Sequence, residues 1–580
     1  MKMEKIWIGQ DQIEGNEVEL GRLLNISPKI ASLLIQRNIR SYEEAFKFFR
    51  PDLNNLHDPF MMKGLRMAVQ RIHQAISQQE NILFFGDYDV DGTTSVSLMY
   101  RYFKSFYSSI QFYLPDREKE GYGVSTQGIE WAKKSGVDLI ISLDCGIKSI
   151  QEIALAKQMG MDFIICDHHL PDDELPPAYA ILNPKQKDCP YPFKYLSGCG
   201  IAFKFIQGYD SLFPKSGLNP YELLDLVAMS IACDMVEVED ENRILAFHGL
   251  KKLNSKPILG IKALLATFQN SLKNSSSQNP NNPIRFQEIL FQLGPRINAA
   301  GRMGDAHRVV ELFITENEEE ARLISQDLNE ENQKRREIEQ IITREALEMI
   351  ERDQLGNKFT NVLFSPDWHK GLVGIVASRV IEKHYAPTII LTESQGKITG
   401  SARSVANFNI YEAIQDCSHL LEQFGGHSAA AGLKLCKENL ESFQKEFEEV
   451  VKTRLGGESL KPRVYFHEYL DLEEIGPSFY KVLEQFAPFG PSNPVPVFQS
   501  RSVRISSVRK INETHLKLEL CRKNDRVEAM GFGLGSYLPQ INLDTPFDIC
   551  YQIDWNTYKG NSQIQLLIKD LKPSSSIWQN

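Results

Sequence analysis

ILFFGDYDVDG, residues 82–92, decides the fold. Four apolar residues, a glycine and then an acid at every second position describe a short strand, covered on both faces, that ends in a carboxylate-bearing segment. Three other places repeat this pattern. LIISL (139–143) runs into Asp144-Cys145-Gly146, FIIC (163–166) runs into Asp167-His168-His169, and an apolar segment ending Ser230-Ile231-Ala232-Cys233 runs into Asp234. AIL (180–182) adds a further apolar run, and stretches such as GIEWAKK (128–134) are long enough for crossover helices. Residues 78–240 therefore read as an α/β unit with a parallel sheet. Ligands of such sheets bind beyond the carboxyl ends of the strands, so the four acidic segments are expected as four strand ends converging on one rim.

Carboxylates brought together repel one another, and each costs several kcal/mol if desolvated without a partner. Divalent cations supply the missing charge. In an extended stretch Asp87, Asp89 and Asp91 would project to the same side and could reach two neighbouring ions. A mixed carboxylate and imidazole shell suits Mn²⁺ well and Mg²⁺ acceptably. Two ions about 3.5–4 Å apart are the usual arrangement for hydrolysing a phosphoester. A calcium loop shares DxDxDG but needs Glu at its twelfth position; counted from Asp87 or Asp89 that position is Leu98 or Tyr100, and a strand rather than a helix precedes it.

The wider composition fits this reading. A chain of 580 residues suggests three to five domains. With 42% apolar and 24% charged residues it is an ordinary globular sequence. There is no membrane-length apolar run, the first residues lack a signal-peptide core, and a cytoplasmic location is expected. Nine scattered cysteines without a CxxC argue against a disulfide framework or a structural zinc cluster. The net charge of −10 means that any nucleic-acid contact must rest on local basic surfaces.

Residues 1–60 form a small N-terminal region in which Ser27-Pro28 opens a capped helix. The first α/β lobe is placed at 61–315, with NSLKNSSSQNPNNP (270–283) as an exposed inserted loop. Residues 316–355 read as one long helix. Leu323, Ile324 and Leu328 lie at one end, Ile338, Ile341, Ile342, Leu347 and Ile350 at the other, and NEENQKRRE (329–337) is polar all round, as in a rod bridging two lobes. A coiled-coil alternative suffers from the broken apolar repeat. A second α/β lobe occupies 356–455, with VLF (362–364), TIIL (388–391) and FGGH (424–427). From 460 to 575 alternation of period two dominates: Leu516, Leu518 and Leu520 against Lys517 and Glu519, then Ile549, Tyr551 and Ile553, then Ile564, Leu566 and Ile568. This predicts an antiparallel sheet closed into a small barrel.

Several basic residues are candidate substrate contacts. Gly400-Ser401-Ala402-Arg403-Ser404 reads as a small-residue turn whose N–H groups approach a phosphate while Arg403 binds it bidentately. Arg117 and Arg302 are further candidates. GPRINAAGRM (294–303) is low in bulky side chains, which fits backbone approach to a ligand or tight helix packing equally. A helix over 371–384 could offer its N-terminus to phosphate, with His369 beside it or merely starting the helix. Residues 501–530 hold eight Lys or Arg (Arg501, Arg504, Arg509, Lys510, Lys517, Arg522, Lys523, Arg526) against four acids. Either a strand-binding patch or a solvated face would look like this, and with only Phe532 nearby, phosphate contact is better supported than stacking.

DYDVDG, Asp144, Asp-His-His and Asp234 together resemble the motif series of the DHH phosphoesterase family. Trp368-His369-Lys370-Gly371 and Gly425-Gly426-His427 resemble the DHH-associated domain, and the long helix and OB-like barrel are similar to the RecJ branch of that family. The resemblance implies a DHH catalytic lobe, a substrate-binding second lobe and a nucleic-acid-binding barrel. It implies Asp89, Asp91, Asp144, His168 and Asp234 as ligands of two Mn²⁺ or Mg²⁺ ions, with Asp144 bridging. Asp87 would be ligand or neighbour, Asp167 would orient the imidazoles, and His169 would face the scissile phosphate. Ser401 and Arg403 would hold a 5′ phosphate, with Arg117, Arg302 and His427 near the nucleotide. The implied activity is 5′→3′ hydrolysis of single-stranded DNA to 5′ mononucleotides in recombination and repair, by a monomer working with single-strand-binding protein and a RecQ-type helicase. A DHH phosphodiesterase acting on short RNA or cyclic dinucleotides is the alternative, against which the terminal barrel argues.

Overall fold

ILFFG, LIISL and DFIIC become strands Ile82–Gly86, Leu139–Leu143 and Asp162–Cys166, with every residue buried except Asp162. Helices cover both faces, so no position along these strands meets water and apolar runs replace alternation. In this computed structural model, which describes residues 5–10, 15–117, 119–214, 217–274, 283–353, 355–457, 460–522, 525–558 and 561–574, they form the centre of a five-stranded parallel sheet. The order is 110–113, 82–86, 139–143, 162–166, 180–182. Edge strand Ile110–Tyr113 has no continuous apolar run to announce it. Because the chain leaves Ile82–Gly86 for that edge and returns on its other side to Leu139–Leu143, the sheet's switch point lies beyond Gly86 and Leu143.

Two expectations about this lobe are corrected. The segment before Asp234 is helix Leu224–Cys233, not a strand. Nine of its ten residues are buried, and a helix buried on all sides carries the same unbroken apolar run as a covered strand. The second correction concerns DYDVDG, which is not extended. Asp89 caps helix Val90–Lys104, accepting the Gly92 N–H at 3.0 Å, and Asp91 lies in its first turn. Part of the predicted loop is helix too, since Leu259–Asn274 runs through residue 274; residues 275–282 lie outside the described ones.

Helix Glu318–Arg352 spans about 50 Å at 1.5 Å per residue. Ile324 and Leu328 belong to the first lobe's core, and Ile342, Ala346 and Ile350 pack with Leu372 and Val376 of the second. Its polar middle is not solvated all round. Arg335 donates to Glu339 at 2.7 Å inside the protein, and Glu339 also accepts from Arg379 of helix Val373–Lys383 at 3.0 Å. Asn332 and Arg335 of the polar stretch are thus buried in a paired network, while Glu330, Gln333, Lys334, Arg336 and Glu337 stay exposed.

The second lobe's sheet has the order 423–427, 430–435, 397–403, 388–394, 361–364. GSARS is therefore not a turn: Lys397–Arg403 is a central strand whose N–H groups serve two ladders. Gly425-Gly426-His427 is likewise part of edge strand Gln423–His427.

At the C-terminus seven strands form one sheet, and Leu516, Leu518, Leu520, Ile549, Tyr551 and Ile553 point inward as their alternation requires. The sheet is mixed rather than antiparallel throughout, since 525–531 runs parallel to 561–573 and 468–469 to 498–503. Much of its basic set is engaged. Lys517 pairs with Glu528, Arg526 with Glu519 at 3.0 Å and Lys510 with Glu513 at 3.2 Å, while Arg504 and Arg509 are exposed; Lys523 lies outside the described residues. The N-terminal residues join this unit. Ser27 caps helix Pro28–Ile35 as expected, Leu33 and Leu34 share one core with Phe498 and Tyr551, and strand Ile6–Gly9 pairs in parallel with Arg463–Phe466. Buried Arg243 of the first lobe donates to carbonyls of Phe48, Gln485 and Phe486, tying the two units together. Among the described residues no helix is long and apolar enough to cross a membrane.

Because residues 28–35 and the barrel bury one another, Leu34→Ala should destabilise the barrel by about 2–5 kcal/mol. Hydrogen exchange would then speed up along strands Phe547–Tyr558 and Asn561–Pro573. Protection unchanged in those strands would show that the N-terminal helices contribute nothing to it.

Candidate metal centre

Each acidic group reaches the rim for a local reason. Asp87, Asp144 and Asp167 directly follow three neighbouring parallel strands, two of them at the switch point. Asp144 takes the left-handed conformation (φ 62°) while its N–H donates to the Cys166 carbonyl at 2.9 Å. Strain of this kind at a non-glycine residue persists only where the surroundings enforce it. Helix Gly198–Leu212 is one such enforcer: a Cβ on Gly198 would stand 2.7 Å from Asp144 Cβ. Asp234 follows the C-terminal turn of its helix, where the helix dipole adds negative potential rather than relieving it.

The result is a crowded set. His168 Nε2 lies 3.2 Å from Asp144, 3.4 Å from Asp234 and 3.9 Å from Asp91. Donor atoms within 4.8 Å of one another form three overlapping groups: Asp87, Asp89 and Asp144; Asp91, His168 and Asp234; and Asp144, His168 and His169. Asp144 and His168 each belong to two of them. The electrostatics follow from the crowding. Burial first, and neighbouring carboxylates second, push the carboxyl groups of Asp87, Asp144 and Asp234 well above the usual range and raise Asp89. Burial lowers His168, favouring the neutral imidazole that a metal requires. Oδ1 of Asp87 and Oδ1 of Asp144 are buried without a hydrogen-bond partner. Carboxylates that repel, buried oxygens with no donor and a neutral imidazole are what a pair of hard divalent cations would satisfy, so the residues present fit such ions.

Asp91 differs from its neighbours. It accepts the N–H groups of Gly198 and Cys199 at 2.7 Å each and the hydroxyl of Ser230 at 2.7 Å, and Ser230 in turn reaches Ser197, the cap of helix Gly198–Leu212. A helix N-terminus thus holds this carboxylate in place. Sequence reading missed Ser197, Gly198, Cys199 and Ser230. The capping serine before small residues in SGCG was a visible signal of a helix start, but not of what that helix would meet.

Asp167 faces away from the carboxylate groups. It accepts N–H groups of Ile147 and His169 and bonds His169 Nδ1 at 2.7 Å. Burial opposes its charge, but the His169 side-chain bond, the imidazole charges and the His169 N–H together draw Asp167 down to about 2. Burial disfavours protonation of His169, but the Asp167 bond together with the charges of Asp167, Asp234 and Asp91 holds the imidazole up at about 9. The His169 side chain remains 44% exposed, with Tyr122 Oη 3.1 Å from Nε2. Tyr122 was another residue the sequence did not single out.

Basic groups line the next part of the cleft. Arg117 and Arg302 border one cavity of about 500 Å³ together with Tyr88 and His369. The Arg117 guanidinium lies 5.1 Å from the Tyr88 ring centre. Arg302 donates to the Gly371 carbonyl of the second lobe at 3.1 Å. Burial, then the charges of Arg117, Arg335 and Arg403, lower it to about 10, so these cations share one neighbourhood. Gly301 also shows why 294–303 is poor in bulk: a Cβ there would stand 2.7 Å from the Tyr88 carbonyl, so the absent side chains serve packing. Arg403 donates to Ser401 Oγ at 2.8 Å beside Gly374, in the first turn of helix Val373–Lys383. His427 is not brought to the carboxylates. It stands exposed on the edge strand, in register with Ala430 and, through it, Arg403, roughly 10 Å away across two strand spacings.

Known proteins share this arrangement. Family models match for the DHH family N-terminal domain at residues 81–231, the DHHA1 domain at 356–453 and the RecJ OB domain at 468–570. The single-stranded-DNA-specific exonuclease RecJ of Bacillus subtilis (strain 168) is 36% identical over 98% of this chain and 70% of its own length. RecJ of Escherichia coli (strain K12) is 32% identical over 94% of this chain and 96% of its own. Among solved structures, RecJ from Thermus thermophilus in complex with Mn²⁺ superposes with a TM-score of 0.82 at 24% identity, covering 98% of this chain and 80% of that one. An exonuclease RecJ bound to manganese gives 0.58 at 28% identity, covering 69% and 96%.

Gly198→Ala should push Asp144 out of its strained position while leaving every donor atom present. Mn²⁺ affinity measured by calorimetry is expected to fall about 10–100-fold, the range seen when the supports of metal ligands are removed. Wild-type affinity in a folded Gly198→Ala protein would mean that Asp144 is held by something else.

Proposed function

The chain belongs to the RecJ family of single-stranded-DNA-specific exonucleases, and on that premise we propose how its residues divide the work of a metal-dependent nuclease acting on single-stranded DNA. Asp87, Asp89, Asp91, Asp144, His168 and Asp234 would hold two divalent ions, Mn²⁺ or Mg²⁺. When bound, such a pair supplies Lewis acidity and an activated water for phosphodiester hydrolysis. The observation that carries the reading is that Asp144 and His168 link the Asp87–Asp89 and Asp91–Asp234 groups into one cluster beside orphaned buried oxygens.

The remaining roles concern the strand. His169, kept cationic by Asp167, offers an N–H to the scissile phosphate as charge develops on it. Tyr88 carries Arg117 above its ring, and Arg302 closes the seam to the second lobe; both guanidiniums hold backbone phosphates between the metal groups and the second lobe. Ser401 and Arg403 receive a terminal 5′ phosphate through side chains alone, because the ladder occupies the strand's N–H groups. A fixed end at a fixed distance from the rim gives 5′→3′ polarity and release of 5′ mononucleotides. His427 lies at the outer margin of this pocket. The alternative on short RNA or cyclic dinucleotides is not favoured, since identity to single-strand exonucleases runs through the barrel. Single-strand-binding protein, a RecQ-type helicase, the monomeric state and a role in recombination and repair rest on the family resemblance.

The test uses 5′- and 3′-labelled single strands with Mn²⁺. Label should be released from the 5′ end, and Asp144→Ala should lose activity by at least about a hundredfold. Release from the 3′ end, or full activity in Asp144→Ala, would reverse the assignment. Arg403→Ala should raise KM about tenfold or more on 5′-phosphorylated strands and erase their advantage over 5′-hydroxyl strands. An advantage that survives would move the end-binding site elsewhere.

A further inference from the structure

A cleft of about 420 Å³ lies where the N-terminal strand and helix meet the barrel, far along the chain from the acidic segments. Trp7, Phe466 and Tyr469 supply aromatic surface, and Gln36 and His467 supply polar atoms. His467 is only 9% exposed. Its Nδ1 accepts the Val497 N–H at 3.1 Å, which fixes the tautomer and leaves the proton on Nε2. Burial and the charge of Arg37 lower this imidazole to about 4, so it stays neutral at physiological pH. Among the described residues the Nε2–H has no partner. Gln36 uses its Nε2 on the His467 carbonyl at 2.8 Å, which orients the amide, and its Oε1 is likewise buried and unpartnered. Gln36 and His467 thus both line the aromatic cleft, and each holds a buried polar atom without a partner. Orphaned pairs of this kind are costly unless something fills them.

The charges around the cleft narrow the choice of occupant. Among the described residues the only charged side chain lining it is Glu468, already paired with Lys29 at 3.2 Å, so no phosphate is bound inside. Cations lie instead against the rings: Lys572 is 4.7 Å from the centre of Trp7, and Arg501 is 4.3 Å from that of Tyr469. A neutral ring between aromatic walls, with a phosphate near those cations, matches the recognition of an unstacked base.

We propose that this cleft is a base-binding site, remote from the metal centre, that receives one flipped-out nucleobase. The inference rests on the single-strand reading only for the base's source, a downstream base of the bound strand; a free nucleotide has the same chemistry. It also gives the N-terminal residues a task, since Trp7 and Gln36 build half of the site.

The experiment scans one abasic residue along a 5′-labelled thirty-nucleotide strand and measures affinity by anisotropy in Ca²⁺ with the full chain. Wild type should show one distal position at which the missing base weakens binding about tenfold. Trp7→Ala, and separately Gln36→Leu as a volume-conserving check on folding, should bind the intact strand about tenfold more weakly and show no further loss at that position. No distal position of sensitivity, or a penalty that persists in both folded variants, would overturn the proposal. Quenching of wild-type tryptophan fluorescence by dTMP, lost in Gln36→Leu, would support the site and assign it to free nucleotides. A protein that cleaves no single strand with Mn²⁺ but still shows that quenching would sink the exonuclease reading and leave this one standing.

Discussion

Like charges held together below the surface are the constraint around which this molecule is arranged. Asp87, Asp89, Asp144 and Asp234 meet where a parallel sheet changes direction, and burial together with mutual repulsion drives their carboxyl groups upward. Among the described residues no lysine or arginine pairs with them. The nearby cations are directed elsewhere: His169 toward Asp167, and the arginines toward the second lobe. A fold that sought only stability would not place a strained Asp144 against Gly198, nor an Asp at the negative end of a helix. Both choices become reasonable once divalent ions complete the site, and the stability surrendered in their absence becomes affinity for them.

Cations from both lobes and the connecting helix complement this charge. Arg302, Arg335 and Arg403 lie within one another's field, and the seam between lobes is closed by Arg302 on the Gly371 carbonyl and Arg379 on Glu339. A polyanion entering the cleft therefore meets cations on one side and a carboxylate rim on the other. Asn332 and Arg335 in the polar middle of the long helix belong to this seam, which explains why these two polar residues are buried in an otherwise largely exposed stretch.

At the other end of the molecule the N-terminal residues and the barrel share one hydrophobic core, and Arg243 ties that core to the catalytic lobe. Three of the barrel's basic residues, Lys510, Lys517 and Arg526, are paired with its own acids. Its distinctive concave feature is instead the aromatic cleft completed by Trp7 and Gln36.

Much of this was legible along the chain. Apolar runs ending in Asp87, Asp144 and Asp167 specify buried parallel strands, because only a strand covered on both faces repeats that pattern four or five residues at a time. Alternation at 516–520 and 549–553 specifies the barrel's inward face, because side chains of a strand alternate with period two. Ser27 specifies its helix through the cap. Other features depended on partners distant in sequence. Whether SIAC before Asp234 was helix or strand, whether Asp91 stood alone at the rim or also met the start of another helix, and whether GSARS was a turn or a central strand were all decided by neighbours in space. The same holds for His427, placed on an edge strand away from the rim, and for Arg335, buried in a network that its own segment gives no hint of. Local sequence determines what a residue can do, through its chemistry and periodicity; tertiary structure decides which groups it meets, because burial and hydrogen bonding are settled only when segments hundreds of residues apart come together.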